Sequence, residues 1–460
     1  MESQLYRRIW RWHFFAGLVC VPFILSLAIT GALYLFHQQI DDLVYGPTIL
    51  RQSAGGTKLA PERLIASALA SYPGQAVALT LPDDARHNAQ VDISRAGGTL
   101  QVFVNPASGK VAGSIEEGAR VMTIVKHVHS LAIVGTTGQV VIEIVAGWIM
   151  VLVATGAYLW WPRGRKTGVV TIRRGAAGRT WWRDLHAVTG AFGGIVILFL
   201  ALTGMPWSVF WGANVGAWLT AHGLGVPVGM WVGVPKSALP ASELGTLPWS
   251  QQHAAVPAST QVDMAMDMPG MDMGPPKKAA ASYTLLGNPA IVAPDAIVQR
   301  IAQLGITGGY RLALPRDAAG VYSMIQLPGP VERQRVIHFN QYSGRVLMDI
   351  SANRIGPVGQ VTEWGVAVHQ GQEYGWPNLL LMLAACLALV CLCVSGMIVW
   401  WKRRPRGKLA APVRKDGDQV ARGVIVIAVV LGCAFPLLGA SMLAVLVVDL
   451  LWVRLPQRAA

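Results

Sequence analysis

Charge is scarce in this sequence. Only 13% of its 460 residues are charged, against about a quarter in soluble domains, so much of the chain must face something other than water. Cysteine is scarce too. Cys20, Cys386, Cys391, Cys393 and Cys433 all lie inside apolar stretches, which excludes a disulfide framework or a cysteine-based zinc site in the polar segments. Cys391 and Cys393 are two apart and point to different faces of a helix; they read as small buried residues. A Gly-rich dinucleotide fingerprint is lacking as well. No cleavable signal is evident. The first apolar run begins near Trp12, after Arg7, Arg8 and Arg11, is too long for the core of a signal peptide, and is expected to remain as an anchor.

What is present is apolar: 53% of residues are hydrophobic and mean hydropathy is +0.43. The net charge of +14 comes from Lys and Arg clustered beside apolar runs. That is the pattern of cytoplasmic membrane loops rather than a nucleic-acid footprint. A spanning helix needs about 20 apolar residues, and five segments qualify: 1–37, 140–162, 183–207, 378–401 and 423–453. Basic residues lie before the first (Arg7, Arg8, Arg11), in the loop 163–182 (among them Arg163, Arg165, Lys166, Arg173 and Arg174) and in the loop 402–422 (among them Lys402, Arg403, Arg404, Arg406 and Lys408). All three sets fall on one side if the N-terminus is cytoplasmic. Segments 38–139 and 208–377 are then external. The last apolar segment carries Pro436 near its middle, so it reads as a fifth span or a kinked hairpin.

An internal duplication organises the rest. His13 is followed by Gly17 and Thr30-Gly31; His186 is followed, at the same spacings, by Gly190 and Thr203-Gly204. His129 precedes Thr155-Gly156 and Trp160-Trp161; His369 precedes Ser395-Gly396 and Trp400-Trp401, again at matched spacings. Outside the spans, Val104-Asn105-Pro106-Ala107-Ser108-Gly109 parallels Phe339-Asn340-Gln341-Tyr342-Ser343-Gly344, each reading as a hairpin turn between strands. Pro61-Glu62 and Pro294-Asp295 each open a helical pattern. The expected architecture is a polytopic α-helical membrane protein of two tandem repeats, each helix–external α+β domain–helix, with a C-terminal hydrophobic segment.

Ionisable groups at membrane depth are costly and point to function. His13 and His186 begin spans on the cytoplasmic side, while His129 and His369 precede spans that start on the external side. Pseudo-symmetry brings each pair across the bundle axis, where two facing imidazoles suit bis-His ligation of a haem iron. Gly17 and Gly190, one turn from His13 and His186, would open a helix surface for a flat porphyrin; packing of small residues is their other reading. Zinc and copper also accept imidazole, but no Cys or matched carboxylate set accompanies these pairs. His127 and His37 are spare ligand or propionate-contact candidates, without histidine counterparts in the second half, where Ala367 and Phe210 stand. Arg11 and Arg183 are candidates for haem propionates. His87, His222, His253 and His338 are expected on external surfaces. The tryptophan doublets read as an interfacial belt.

Residues 263–273 form a Met-rich insertion of the second external segment. Met264, Met266, Met268, Met271 and Met273 are soft ligands that suit Cu(I); the simpler reading is a flexible loop.

Over nearly its whole length the chain resembles the PepSY-associated transmembrane family of iron-regulated bacterial inner-membrane proteins. The resemblance rests on the His–Gly–Thr-Gly pattern of spans one and three, the Gly-x-x-x-Trp-Trp endings of spans two and four, and two PepSY-like external segments. It is similar to di-haem ferric-siderophore reductases of the ferrioxamine type. The resemblance implies two b-type haems, held by His13 with His186 and by His129 with His369, passing electrons outward to a periplasmic ferric siderophore and releasing Fe(II). Some relatives fuse a flavin or NAD(P)H domain; without a dinucleotide fingerprint here, the electron donor is expected to be separate, quinol or a soluble reductase, and the placement of the basic residues argues against a nucleic-acid partner. The alternatives are a non-enzymatic PepSY binding or regulatory membrane protein, and a copper-linked reductase.

Overall fold

The computed structural model describes residues 4–51, 56–162, 169–173, 175–227, 230, 234–261, 285–326, 329–404 and 422–454. In chain order these form α1 (Gln4–Tyr34), α2 (His37–Ile49), α3 (Pro61–Ser71), β1 (Gln75–Leu81), β2 (Ala89–Arg95), β3 (Gly98–Val104), β4 (Val111–Glu116), α4 (Val121–His129), α5 (Thr136–Trp160), α6 (Gly178–Gly204), α7 (Trp211–Ala221), β5 (Lys236–Pro240), β6 (Ala255–Pro257), α8 (Pro294–Gln303), β7 (Tyr310–Ala313), β8 (Val321–Gln326), β9 (Arg335–Asn340), β10 (Val346–Ser351), α9 (Pro357–His369), α10 (Trp376–Arg403), α11 (Arg422–Ala434) and α12 (Pro436–Arg454). They divide into two compact units: residues 1–35, 125–215 and 369–460, and residues 36–124 and 216–368.

The first unit is a helical bundle. Among the described residues four helices are long and apolar enough to cross a membrane: Gln4–Tyr34, Thr136–Trp160, Gly178–Trp207 and Trp376–Arg403. α1 packs on α5 and α10, and α6 packs on the same two, closing a four-helix ring. Its centre is the apolar layer of Cys20, Ile24, Val145, Ile149, Met150, Ile197, Ala201, Met205 and Cys393. The final apolar segment is two helices broken at Phe435, because Pro436 has no N–H to continue the first and suits the opening turn of the second. α12 returns along α11 and leans on α5, where Leu438 fills the space left by Gly147 and Trp148 Nε1 donates to Ser441 Oγ at 3.0 Å. The close approach of Gly432 and Gly439, neither of which has a Cβ, admits this fold-back.

The second unit is built on one antiparallel sheet of eight strands in the order β10-β9-β8-β7-β1-β2-β3-β4. Two external segments expected as separate domains thus share a sheet, joined where β1 pairs with β7 (Ala78 with Ala313, Leu79 with Leu312). The physical reason lies in the edges: alone, each four-stranded half would leave β1 or β7 with unpaired backbone groups. Leu64, Ile65 and Ala68 of α3 and Ile297 and Ile301 of α8 cover one face of the joined sheet in a single core. The first turns of the two helices meet, with Glu62 N–H donating to Asp295 Oδ1 at 2.7 Å. Arg311 of β7 reaches past β1 to form an ion pair with Asp92 of β2.

Both expected hairpin turns form the same way. Asn105 Oδ1 accepts from the N–H groups of Ala107 and Ser108, and Asn340 Oδ1 from those of Tyr342 and Ser343. Gly109 (φ 72°) and Gly344 (φ 67°) then supply the left-handed step that each turn needs. His338 does not lie on an external surface as expected. His338 is buried, because β5, β6 and the short helical turns beside them cover the second face of β7–β10. Burial pushes its pKa down to about 4, and its Nδ1 lies 2.8 Å from Ser323 Oγ. His222 and His253 are exposed, and His87 is half-buried.

Candidate functional site

Four histidines and four hydroxyls form one repeated arrangement in the helical unit. His13 on α1 has its Nδ1 2.9 Å from Thr155 Oγ1 on α5. His129, the last residue of α4, lies 2.9 Å from Thr30 Oγ1 on α1. His186 on α6 lies 3.1 Å from Ser395 Oγ on α10, and His369, the last residue of α9, lies 2.9 Å from Thr203 Oγ1 on α6.

Each hydroxyl also donates its single proton back along its own helix. Thr30 bonds Ser26 O at 2.5 Å, Thr155 bonds Val151 O at 2.6 Å, Thr203 bonds Phe199 O at 2.7 Å and Ser395 bonds Cys391 O at 2.6 Å. With that proton committed, the oxygen can only accept from the imidazole, so Nδ1 carries hydrogen in all four rings. The Leu392 carbonyl, 3.1 Å from His186 Nδ1, fixes that tautomer a second time, since a carbonyl never donates. Nε2 is left with its lone pair, which is the state a metal ligand requires.

The glycine after each hydroxyl makes the ring fit. A Cβ at Gly31, Gly156 or Gly396 would lie 3.3 Å from Cε1 of His129, His13 or His186, and one at Gly204 would lie 3.7 Å from His369 Cε1. These glycines are notches that seat the imidazoles. The Thr-Gly and Ser-Gly doublets thus act as receptors for histidines on other helices, a role that sequence reasoning missed. Their constant spacing in both halves was the signal.

The histidines come together in the expected pairs. The His13 and His186 ring centroids lie 6.3 Å apart, with the ring planes at 88°. His129 and His369 lie close enough to interact electrostatically, and Trp207 stands edge-on to His369 at 5.8 Å. His13 and Thr30 are 17 positions apart on one helix, as are His186 and Thr203, so the two levels are separated by about 25 Å of helix rise.

Beside Gly17 a Cβ would meet only Leu152 Cδ2, at 3.9 Å, and beside Gly190 only Leu392 Cδ2, at 3.6 Å. His127 is exposed on α4 and, two residues from His129, points away from it. His37 opens α2 near Asp41 rather than ending the first span. The Arg11 guanidinium lies over the Phe15 ring at 5.5 Å. Arg183 donates to Asp184, which is fully buried two residues before His186 and is also gripped by Arg173 Nε at 2.8 Å. Asp184 and Arg173 were not singled out from sequence. Met264, Met266, Met268, Met271 and Met273 lie outside the described residues. No group of three or more His, Cys, Asp or Glu side chains converges among the described residues.

A family profile for the PepSY-associated TM region matches residues 10–403. The chain belongs to this family. No curated protein matches it. Membership, with four apolar helices of spanning length, makes it a membrane protein, and the match takes in all eight histidine and hydroxyl positions described above.

Proposed function

We propose that the chain is a two-haem membrane oxidoreductase that moves electrons across the bilayer to reduce a ferric siderophore on the outer side. The His13–His186 geometry carries this reading. Two metal–nitrogen bonds of roughly 2.0–2.1 Å, plus the radius of each imidazole, put ring centroids about 6.4 Å apart; the observed separation is 6.3 Å. The donor set supports the same choice. A protein zinc site recruits three or four side chains, whereas two imidazoles alone suit a metal that arrives with four equatorial nitrogens.

His13 and His186 would hold the inner group, and His129 and His369 the outer. Bound there, b-type haem would supply one-electron redox chemistry. The chain's own residues fix the imidazole tautomers through four hydroxyls, while Gly17 and Gly190 lie against Leu152 and Leu392 one turn from His13 and His186. The apolar layer around Ile24, Ile149 and Met205 keeps water out between the two levels. A separation of about 25 Å would suit pairs near opposite faces of a hydrocarbon core about 30 Å thick.

The duplicated spacings, and two sheet halves that meet at β1 and β7, support descent from a doubled unit. The basic residues around the first span and in both inter-span loops support a cytoplasmic N-terminus and a periplasmic sheet in a bacterial inner membrane. The ferric siderophore and the separate donor, quinol or a soluble reductase, come from the family resemblance. The test is haem quantification on protein purified from haem-replete cells, followed by reduction assays on several ferric chelates. Two b haems per chain and ferric reduction are expected; a folded, colourless preparation overturns the reading.

A further inference from the structure

We propose that Thr30, Thr155, Thr203 and Ser395 are positioning residues, each governing the histidine that it contacts on another helix of its own half and not the candidate ligand histidine nearest to it in the chain. This rests on the two-haem reading and adds to it an assignment of which hydroxyl tunes which site. The chain order misleads here. Thr30 shares α1 with His13, yet its hydroxyl serves His129; Thr155 lies on α5, yet serves His13. The second half repeats the exchange, with Thr203 serving His369 and Ser395 serving His186.

Hydroxyl bonds therefore stay within a half of the chain, while each histidine pair brings the two halves together. Every spanning helix of the ring carries a hydroxyl for one level and carries, or directly follows, the histidine of the other. The chemistry is that of an outer-shell acceptor. A hydrogen bond accepted from Nδ1–H fixes ring orientation and raises the basicity of Nε2, and losing such a partner typically weakens metal affinity by about 10–100-fold. A more basic imidazole favours the ferric state, so removing the acceptor should raise the midpoint potential of that site alone.

The experiment compares Thr155→Val, Thr155→Ser and Thr30→Val in the full chain with the parent, reading haem retention and the midpoint potentials of the two components. Thr155→Val keeps the side-chain shape and removes the acceptor; Thr155→Ser keeps the acceptor and removes a methyl group. The expected result is a raised potential and about 10–100-fold weaker retention at the inner site in Thr155→Val, with near-parent behaviour in Thr155→Ser. Thr30→Val should do the same to the outer component and spare the inner. A packing role predicts the reverse order, with Ser worse than Val, and would overturn the proposal. So would a Thr30→Val effect confined to the His13 site, or unchanged potentials in both valine variants. A parent that binds no haem removes the proposed function as well, which separates the two failures.

Discussion

Thr30 Oγ1 lies 2.9 Å from His129 Nδ1, although 99 positions separate them in the chain. The same contact joins Thr203 to His369 across 166 positions. These bonds convert a weak sequence regularity, a Thr-Gly doublet late in a span, into a receptor for one imidazole.

Removing one ligand should empty one level only. His13→Ala is expected to lower haem content from two per chain to one, and His369→Ala to do the same by loss of the other component. Pyridine haemochrome quantification against protein concentration checks both. A parent stoichiometry retained in either variant would take that histidine out of the ligand set.

The perpendicular His13 and His186 rings have a spectroscopic consequence. If these two residues hold a haem, imidazole planes at 88° would interact about equally with the two iron orbitals that parallel planes would split. The inner ferric site should therefore give a low-spin EPR signal of large g anisotropy, and that signal should vanish in His186→Ala. A parent showing only rhombic signals of small anisotropy contradicts the geometry.

The notch glycines should resist substitution. An alanine methyl at position 156 would sit 3.3 Å from His13 Cε1, tighter than ordinary contact, so Gly156→Ala must push the ring by a few tenths of an ångström. Weaker retention of the inner group is expected, measured by haem loss during purification. Gly175→Ala, where a Cβ has open space but φ is 72°, serves as a control that strains backbone without touching the site.

In the sheet unit, stability should fall as pH rises through a histidine switch. Burial pulls the His87 imidazole down, but hydrogen bonds to Asp42 and Asp84 outweigh that and raise its pKa. Nε2 lies 3.0 Å from Asp42 and Nδ1 2.6 Å from Asp84. A raised folded-state pKa means that the contribution is complete below the unfolded value of about 6.5 and disappears as pH climbs through the folded value. Thermal melting from about pH 5.5 to 8.5 should show this loss in the parent and a flatter profile in His87→Gln.

The Arg311–Asp92 ion pair across β1 should hold the two sheet halves together. Asp92 is buried, and Arg311→Leu leaves its carboxylate short of a partner, with Gln90 Nε2 still donating at 2.7 Å. A destabilisation of about 1–3 kcal/mol is expected for an unsatisfied buried acceptor, measured by chemical denaturation of the full chain.

Much of this protein was legible in its sequence for a simple reason. Long apolar runs have one stable use, and α1, α5, α6 and α10 follow them to within a few residues. Duplicated spacings around His13, His186, His129 and His369 marked the residues that the fold arranges in one repeated pattern, because matched positions survive as numbers in a string. The Asn-and-Gly turns at Asn105 and Asn340 were legible too, since their hydrogen bonds close within four residues.

What the sequence by itself determined was therefore local or periodic: which segments are apolar, where turns fall, and which histidines are equivalent. Only the tertiary structure decided that β1 pairs with β7, that Thr30 serves His129, that Arg173 and Arg183 close on Asp184, and that His338 is buried under a second layer. Each of these depends on groups brought together from distant parts of the chain. Such pairings are selected by edge satisfaction, packing and hydrogen-bond saturation over the whole fold, and no window of sequence contains both partners.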